Sequence, residues 1–124
     1  MAIEKKQRNA IPEQEPFVRA HNFNEVALGF TAELARDEAS RCLGCKNAPC
    51  MKGCPVGVRI PEFLALVKNG EYEKAGEVVK STNSLPSVCG RVCPQEEQCE
   101  KNCVRAKIDG AVSIGGVERF VGDF

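Results

Sequence analysis

Two runs of cysteine constrain this chain more than any other feature. The first, RCLGCKNAPCMKGCP from Arg41 to Pro55, has the spacing C-x2-C-x4-C-x3-C-P. The second, CGRVCPQEEQCEKNC from Cys89 to Cys103, follows further along, and together they hold all eight cysteines of the 124 residues. Thiols packed this tightly imply a covalent or metal framework, because a chain of this length with no Trp and one Tyr has a modest apolar inventory. Three frameworks compete: disulfides, structural zinc and iron–sulfur clusters.

The N-terminus, MAIEKKQRNAIPEQEP, has no apolar core of the signal-peptide kind, and no run approaches the length of a membrane-spanning helix. The expected location is therefore the cytoplasm, where disulfides are rare and dense cysteine points to metal. Seventeen basic residues balance seventeen acidic ones, so charge draws the chain neither to nucleic acid nor to an anionic membrane. Zinc sites usually pair two C-x2-C knuckles, and only Cys42/Cys45 has that spacing. The single histidine, His21, is remote from the cysteines and is given no role. A zinc-stabilised interaction module stands as the alternative from a different functional class.

Iron–sulfur chemistry accounts for more of the pattern. A cubane is wider than one ion, so three closely spaced thiolates can wrap three of its corners while a distant cysteine closes the fourth. In two-cluster ferredoxins the last cysteine of a run, the one followed by proline, ligates the other cluster. Cys54-Pro55 and Cys93-Pro94 both carry that proline. On this logic Cys42, Cys45 and Cys50 hold one cluster with Cys103, and Cys54 crosses to join Cys93 and Cys99 at the other. Spacing alone makes Cys89 the fourth ligand of the second cluster. Between Arg41 and Arg59 there are four basic residues, Arg41, Lys46, Lys52 and Arg59, and no acidic one. Such cations would lower the cost of holding an anionic thiolate cluster.

The rest of the chain reads as a small all-α domain. Residues 1–24 carry Pro12 and Pro16 without periodicity and are expected to form an extended arm, leaving residues 25–124 as the helical domain. Thr31 is suited to N-cap a helix whose face, Ala35, Ala39 and Cys42, would deliver the first cysteine inward. Ile60-Pro61 opens a second helix with the stripe Phe63, Leu64 and Val67, stopped by Asn69-Gly70. A third helix spans about Tyr72 to Lys80, with Tyr72, Ala75 and Val79 on one side. The loop STNSLP leads to the second cysteine run, where Pro94 would begin a fourth helix and place Cys99 and Cys103 one turn apart.

Taken in order, PEQEPFVRAHNFNEVALGFT, RCLGCKNAPCMKGCPVGVRIPEF, TNSLPSVCGRVCPQEEQCEKNC and IGGVERFV resemble the N-terminal iron–sulfur domain of the glutamate synthase small (beta) subunit. The same domain type occurs in related NADPH-dependent oxidoreductases, including the ferredoxin:NADP transhydrogenase type and dihydropyrimidine dehydrogenase. The resemblance runs from about Pro12 to the C-terminus. It implies an alpha-helical ferredoxin-like domain with two [4Fe-4S] clusters, Cys42, Cys45, Cys50 and Cys103 at one and Cys54, Cys93 and Cys99 at the other. It also implies a side-chain oxygen as the eighth ligand, at the position of Glu118, with Cys89 beside the cluster but not bound to it. Gly115 and Gly116 would then let a turn entering a helix approach the cluster closely. The competing view is an exposed Glu118 with Cys89 as ligand.

The resemblance further implies an FAD- and NAD(P)H-binding domain downstream and a large oxidoreductase subunit as partner, with electrons passing from flavin to an active site of glutamate synthesis. A transhydrogenase or pyrimidine-reducing relative is the alternative within the class. No G-x-G-x-x-G follows a strand here, so the chain reads as an excised electron-transfer domain that is not catalytic alone.

Overall fold

A computed structural model describes residues 4–124 of the chain. Seven α-helices make up its regular structure, α1 Pro16–Arg19, α2 Ala32–Ala39, α3 Pro49–Gly53, α4 Ile60–Lys68, α5 Tyr72–Lys80, α6 Pro86–Val92 and α7 Ile114–Asp123. Short 3-10 turns occupy Gln95–Glu97, Glu100–Asn102 and Val104–Lys107. Among the described residues there is no strand or sheet, only an isolated bridge between Glu13 and Ala27. The domain is all-α, as its periodicity predicts.

Thr31 caps α2, its hydroxyl oxygen accepting from Leu34 N at 3.2 Å, and Ala35 and Ala39 are buried on the inner face. In α4, Ile60, Phe63, Leu64 and Val67 are all buried, and the chain turns at Gly70 with φ +82° before entering α5. Ala75, Val78 and Val79 of α5 pack against α4, and Ile114, Val117 and Val121 of α7 join the same core. The third expected helix has the boundaries its periodicity implies.

Three expectations are corrected. Cys42 lies beyond the end of α2, carried inward by a tighter turn in which Cys42 N donates to Ala39 O at 3.1 Å. An unforeseen helix, α6, starts at Pro86 inside the STNSLP loop and carries Cys89. After Pro94 there is no α-helix: Gln98 leaves the helical region at φ −117°, ψ −112°, and Cys99 and Cys103 flank the short turn Glu100–Asn102. The break follows from a tertiary contact, because α3 packs directly onto this segment. A Cβ on Gly53 would lie 2.4 Å from Gln98 O, so only glycine allows it.

Beside the apolar core lies a buried polar cluster. Glu38 and Arg41 are fully buried and paired at 2.7 Å, and Glu38 also accepts from Ser113 N and Asn9 N, each at 2.8 Å. Arg41 Nη2 donates to Gly110 O at 2.6 Å, and Arg41 Nε to Lys6 O at 2.9 Å. Arg105 Nη2 donates to Glu4 O at 2.9 Å. Residues 4–9 thus run along buried charges of α2 and the 105–113 segment, and those charges keep hydrogen-bond partners on every side.

Candidate metal centre

Cys42, Cys45, Cys50 and Cys103 line one small cavity, open in part to solvent. Its remaining walls are largely apolar, with Ala48, Ile60, Leu64, Val112 and Ile114 among them. Local structure explains how each thiol arrives there. Cys42 and Cys45 bracket the loop after α2, Pro49 starts α3 so that Cys50 sits in its first turn, and Cys103 ends the turn after Cys99. Burial pushes the Cys42 thiol up and the Cys50 thiol up to about 11, with neighbouring thiols of the same set adding to both. Gly44 N donates to Cys42 Sγ at 3.4 Å, a backbone bond of the kind that tunes thiolate ligands.

The second group gathers at the ends of α3 and α6. Cys54 and Cys93 terminate these helices in extended conformation, at ψ 121° and 136°, because a residue before proline is driven out of the helical region. Burial first, then the neighbouring Cys89, Glu118 and Cys54, pushes the Cys93 thiol up to about 11. Burial also pushes the Cys99 thiol up to about 12, with Glu100, Cys54 and Glu118 adding to the shift. Cys54 and Glu118 thus act on both Cys93 and Cys99, and Cys89 lies beside Cys93.

Glu118 is neither exposed nor at a helix start. It lies in the second turn of α7, half-buried, and burial pushes its carboxyl up to about 7 against the opposing hydrogen bond from Asn83. Gly115 and Gly116 serve a different purpose from the one expected. Both sit in the first turn of α7, where a Cβ would collide with the Gln95 side chain at 2.2 Å and the Phe30 ring at 2.6 Å respectively.

The basic residues of the first run are also reassigned in part. Arg41 is consumed by Glu38 and Asp109, and Arg59 pairs with Glu62 at 2.9 Å. Lys46 and Lys52 are exposed. Two residues with no sequence signal belong to the sites. Arg105 lines the first cavity, and Asn83 bridges Glu118 and Cys89. Both are found only through contacts made far along the chain.

The donor set suits a thiolate-bound cluster. One buried and three part-buried thiols face apolar walls, and burial together with the neighbouring thiols holds those of Cys42 and Cys50 up, so their ionisation is favoured around a centre of positive charge. Among the described residues, no three His, Cys, Asp or Glu side chains converge to hold one metal ion.

A family described as dihydropyrimidine dehydrogenase domain II, 4Fe-4S cluster, matches residues 19–124. The chain belongs to this family. It is a 4Fe-4S domain, which leaves the zinc reading without support. The chain is 41% identical over 115 residues to the glutamate synthase [NADPH] small chain of Azospirillum brasilense, covering 91% of this chain and 24% of the relative. It is 44% identical over 113 residues to the protein of the same name from Halomonas elongata, covering 90% and 24%. It is 41% identical over 101 residues to the NAD-dependent dihydropyrimidine dehydrogenase subunit PreT of Escherichia coli, covering 82% and 24%. The chain thus spans about a quarter of the length of these relatives. No described helix is long and apolar enough to cross a membrane.

Proposed function

We propose that this chain is the electron-transfer domain of a glutamate synthase small-subunit-like oxidoreductase, holding two [4Fe-4S] clusters. Cys42, Cys45, Cys50 and Cys103 hold the first, and Cys54, Cys93, Cys99 and Glu118 the second, with Cys89 beside it. The observation that carries this reading is the shared cavity of Cys42, Cys45, Cys50 and Cys103, which draws together thiols from both cysteine runs.

When bound, such clusters supply one-electron carriers whose potential follows ligand type, hydrogen bonding to sulfur and burial. The chain's own residues do the rest. The apolar walls shield the first set in part from water, Gly44 N–H is directed at a ligand sulfur, and Glu118 offers a harder oxygen donor at the second. No side chain here need act as acid or base. The electron source is a flavin reduced by NAD(P)H in another domain of the same cytoplasmic polypeptide. The acceptor is a large oxidoreductase subunit that makes glutamate. The relatives' names differ in nicotinamide cofactor, NADPH in one and NAD in another, and both belong to oxidoreductases.

The test is metal analysis and electron paramagnetic resonance of the full-length protein purified without oxygen. About eight irons with matching acid-labile sulfide, reduced on adding NADPH, is the expected result. Zinc without sulfide, or iron for one cluster with four alkylatable cysteines, overturns it.

A further inference from the structure

Asn83 stands between the two side chains that compete for the last position at the second centre. It is 6% exposed, in the loop between α5 and α6. Its Nδ2 donates to Glu118 Oε1 at 2.5 Å. Its Oδ1 accepts from Leu85 N at 3.0 Å and lies 3.6 Å from Cys89 Sγ. The Leu85 N–H is a fixed donor, so the end of the amide facing it, and facing Cys89, has to be the oxygen. The end facing Glu118 is then the nitrogen.

We propose that Asn83 is a positioning residue that selects Glu118 over Cys89 as the last ligand of the second centre; this rests on the reading above that Glu118 ligates there. Nδ2 holds one carboxylate oxygen and leaves the other for iron. The opposite end of the same amide accepts from Cys89 Sγ at 3.6 Å, which ties that sulfur to the amide rather than to the centre. Close packing makes this double contact possible. A Cβ on Gly90 would lie 2.6 Å from Arg119 N, and one on Gly122 2.5 Å from Ser87 N, so α6 and α7 approach to backbone contact. Cys89 on α6 and Glu118 on α7 are thereby held on either side of one buried amide.

The experiment uses the full-length protein with Asn83→Asp and Asn83→Ala, each alone and with Cys89→Ser. Asn83→Asp keeps the shape and the acceptor for Leu85 N but replaces the donor facing Glu118, so it carries the test if Asn83→Ala does not fold. Readouts are the paramagnetic resonance spectrum and midpoint potential of each centre. Both variants are expected to change the second centre and leave the first as it was. Adding Cys89→Ser, silent when Asn83 is intact, is expected to abolish the second signal of Asn83→Ala, in which nothing holds Cys89 back and it has become the ligand. Asn83→Asp, which keeps the acceptor facing Cys89, is expected to weaken the second centre with or without Cys89→Ser. An unchanged second centre in both Asn83 variants overturns the proposal, as does a changed Asn83→Ala centre indifferent to Cys89→Ser. Glu118→Ala separates the two levels of the argument. If that substitution leaves the second centre's spectrum and potential unchanged, the ligand reading itself is wrong. If it alters them while the Asn83 variants do not, Glu118 ligates and Asn83 does not select it.

Discussion

Arg105 Nη1 donates to the backbone carbonyl of Arg41 at 3.0 Å, deep in the domain. Arg41 immediately precedes Cys42, and Arg105 follows Cys103 by two residues, so one guanidinium joins the two segments that line the first cavity. Asp109 holds that guanidinium from below, accepting from Nε at 3.1 Å and Nη2 at 2.8 Å. In return the Arg105 guanidinium keeps the Asp109 carboxyl down at about 2.

Replacing Arg105 with leucine strips the buried Arg41 carbonyl of its Arg105 donor, while Asp109 keeps Arg41 Nη2 at 3.2 Å and Lys6 N at 2.9 Å. Leaving a buried acceptor without its partner typically costs about 1–3 kcal/mol. Arg105→Leu should therefore lose stability on that scale in denaturant titration. Arg105→Lys should recover only part of it, since an ammonium lacks the planar fork. A leucine variant within about 1 kcal/mol of the parent would show that the clamp is not structural.

Gly90→Ala tests the contact between α6 and α7. Alanine in a helix gains up to about 1 kcal/mol over glycine in propensity. Here, however, its Cβ would lie 2.6 Å from Arg119 N and 2.7 Å from Arg119 Cα, backbone atoms that cannot swing aside. Overpacking costs typically about 1–3 kcal/mol, so the clash outweighs the propensity gain. The expected result is a lowered melting temperature and a disturbed second centre with the first intact. A raised melting temperature contradicts the close approach.

Cluster assembly should depend steeply on pH. The thiols of Cys50, Cys93 and Cys99 are held up at about 11, 11 and 12, above the ordinary thiol value, so they are protonated at neutral pH. Each must release its proton to bind metal, and affinity therefore rises with pH throughout the range below those values. Competition with a chelator between about pH 6 and 8 should show retention increasing with the loss of more than one proton per centre. Retention that does not vary with pH would refute thiolate ligation by these residues.

Cys103→Ala should loosen more than one ligand position. Cys103 shares its cavity with Cys42, Cys45 and Cys50, so the first centre ties residues after Cys99 to the loop behind α2. Metal binding is then coupled to folding across both halves of the chain. The variant should lose the first cluster and gain hydrogen exchange in the segment 100–113. If both clusters and thermal stability survive, the crossed ligand assignment is wrong.

Much of this was legible from local pattern. Thr31, Ile60-Pro61 and Gly70 mark helix ends by capping chemistry and fixed dihedrals, and the stripes of α4 and α5 follow from a period of 3.6. The chain beyond Pro94 was not legible, because its conformation is set by α3 pressing Gly53 onto Gln98 rather than by propensity. Arg41 misled for a related reason. A basic residue beside cysteines looks like a counter-charge for a cluster, yet its partners, Glu38, Asp109 and Gly110, include residues far along the chain.

The sequence by itself determined the helical class and the number, order and spacing of the thiols, since spacing and the proline after Cys54 and Cys93 are properties of neighbours. Only the tertiary structure decided which groups surround those thiols. Arg105 reaches Arg41, and Asn83 reaches Glu118 and Cys89, because separate helices pack to backbone contact, and no local propensity encodes a distance between segments that meet only on folding.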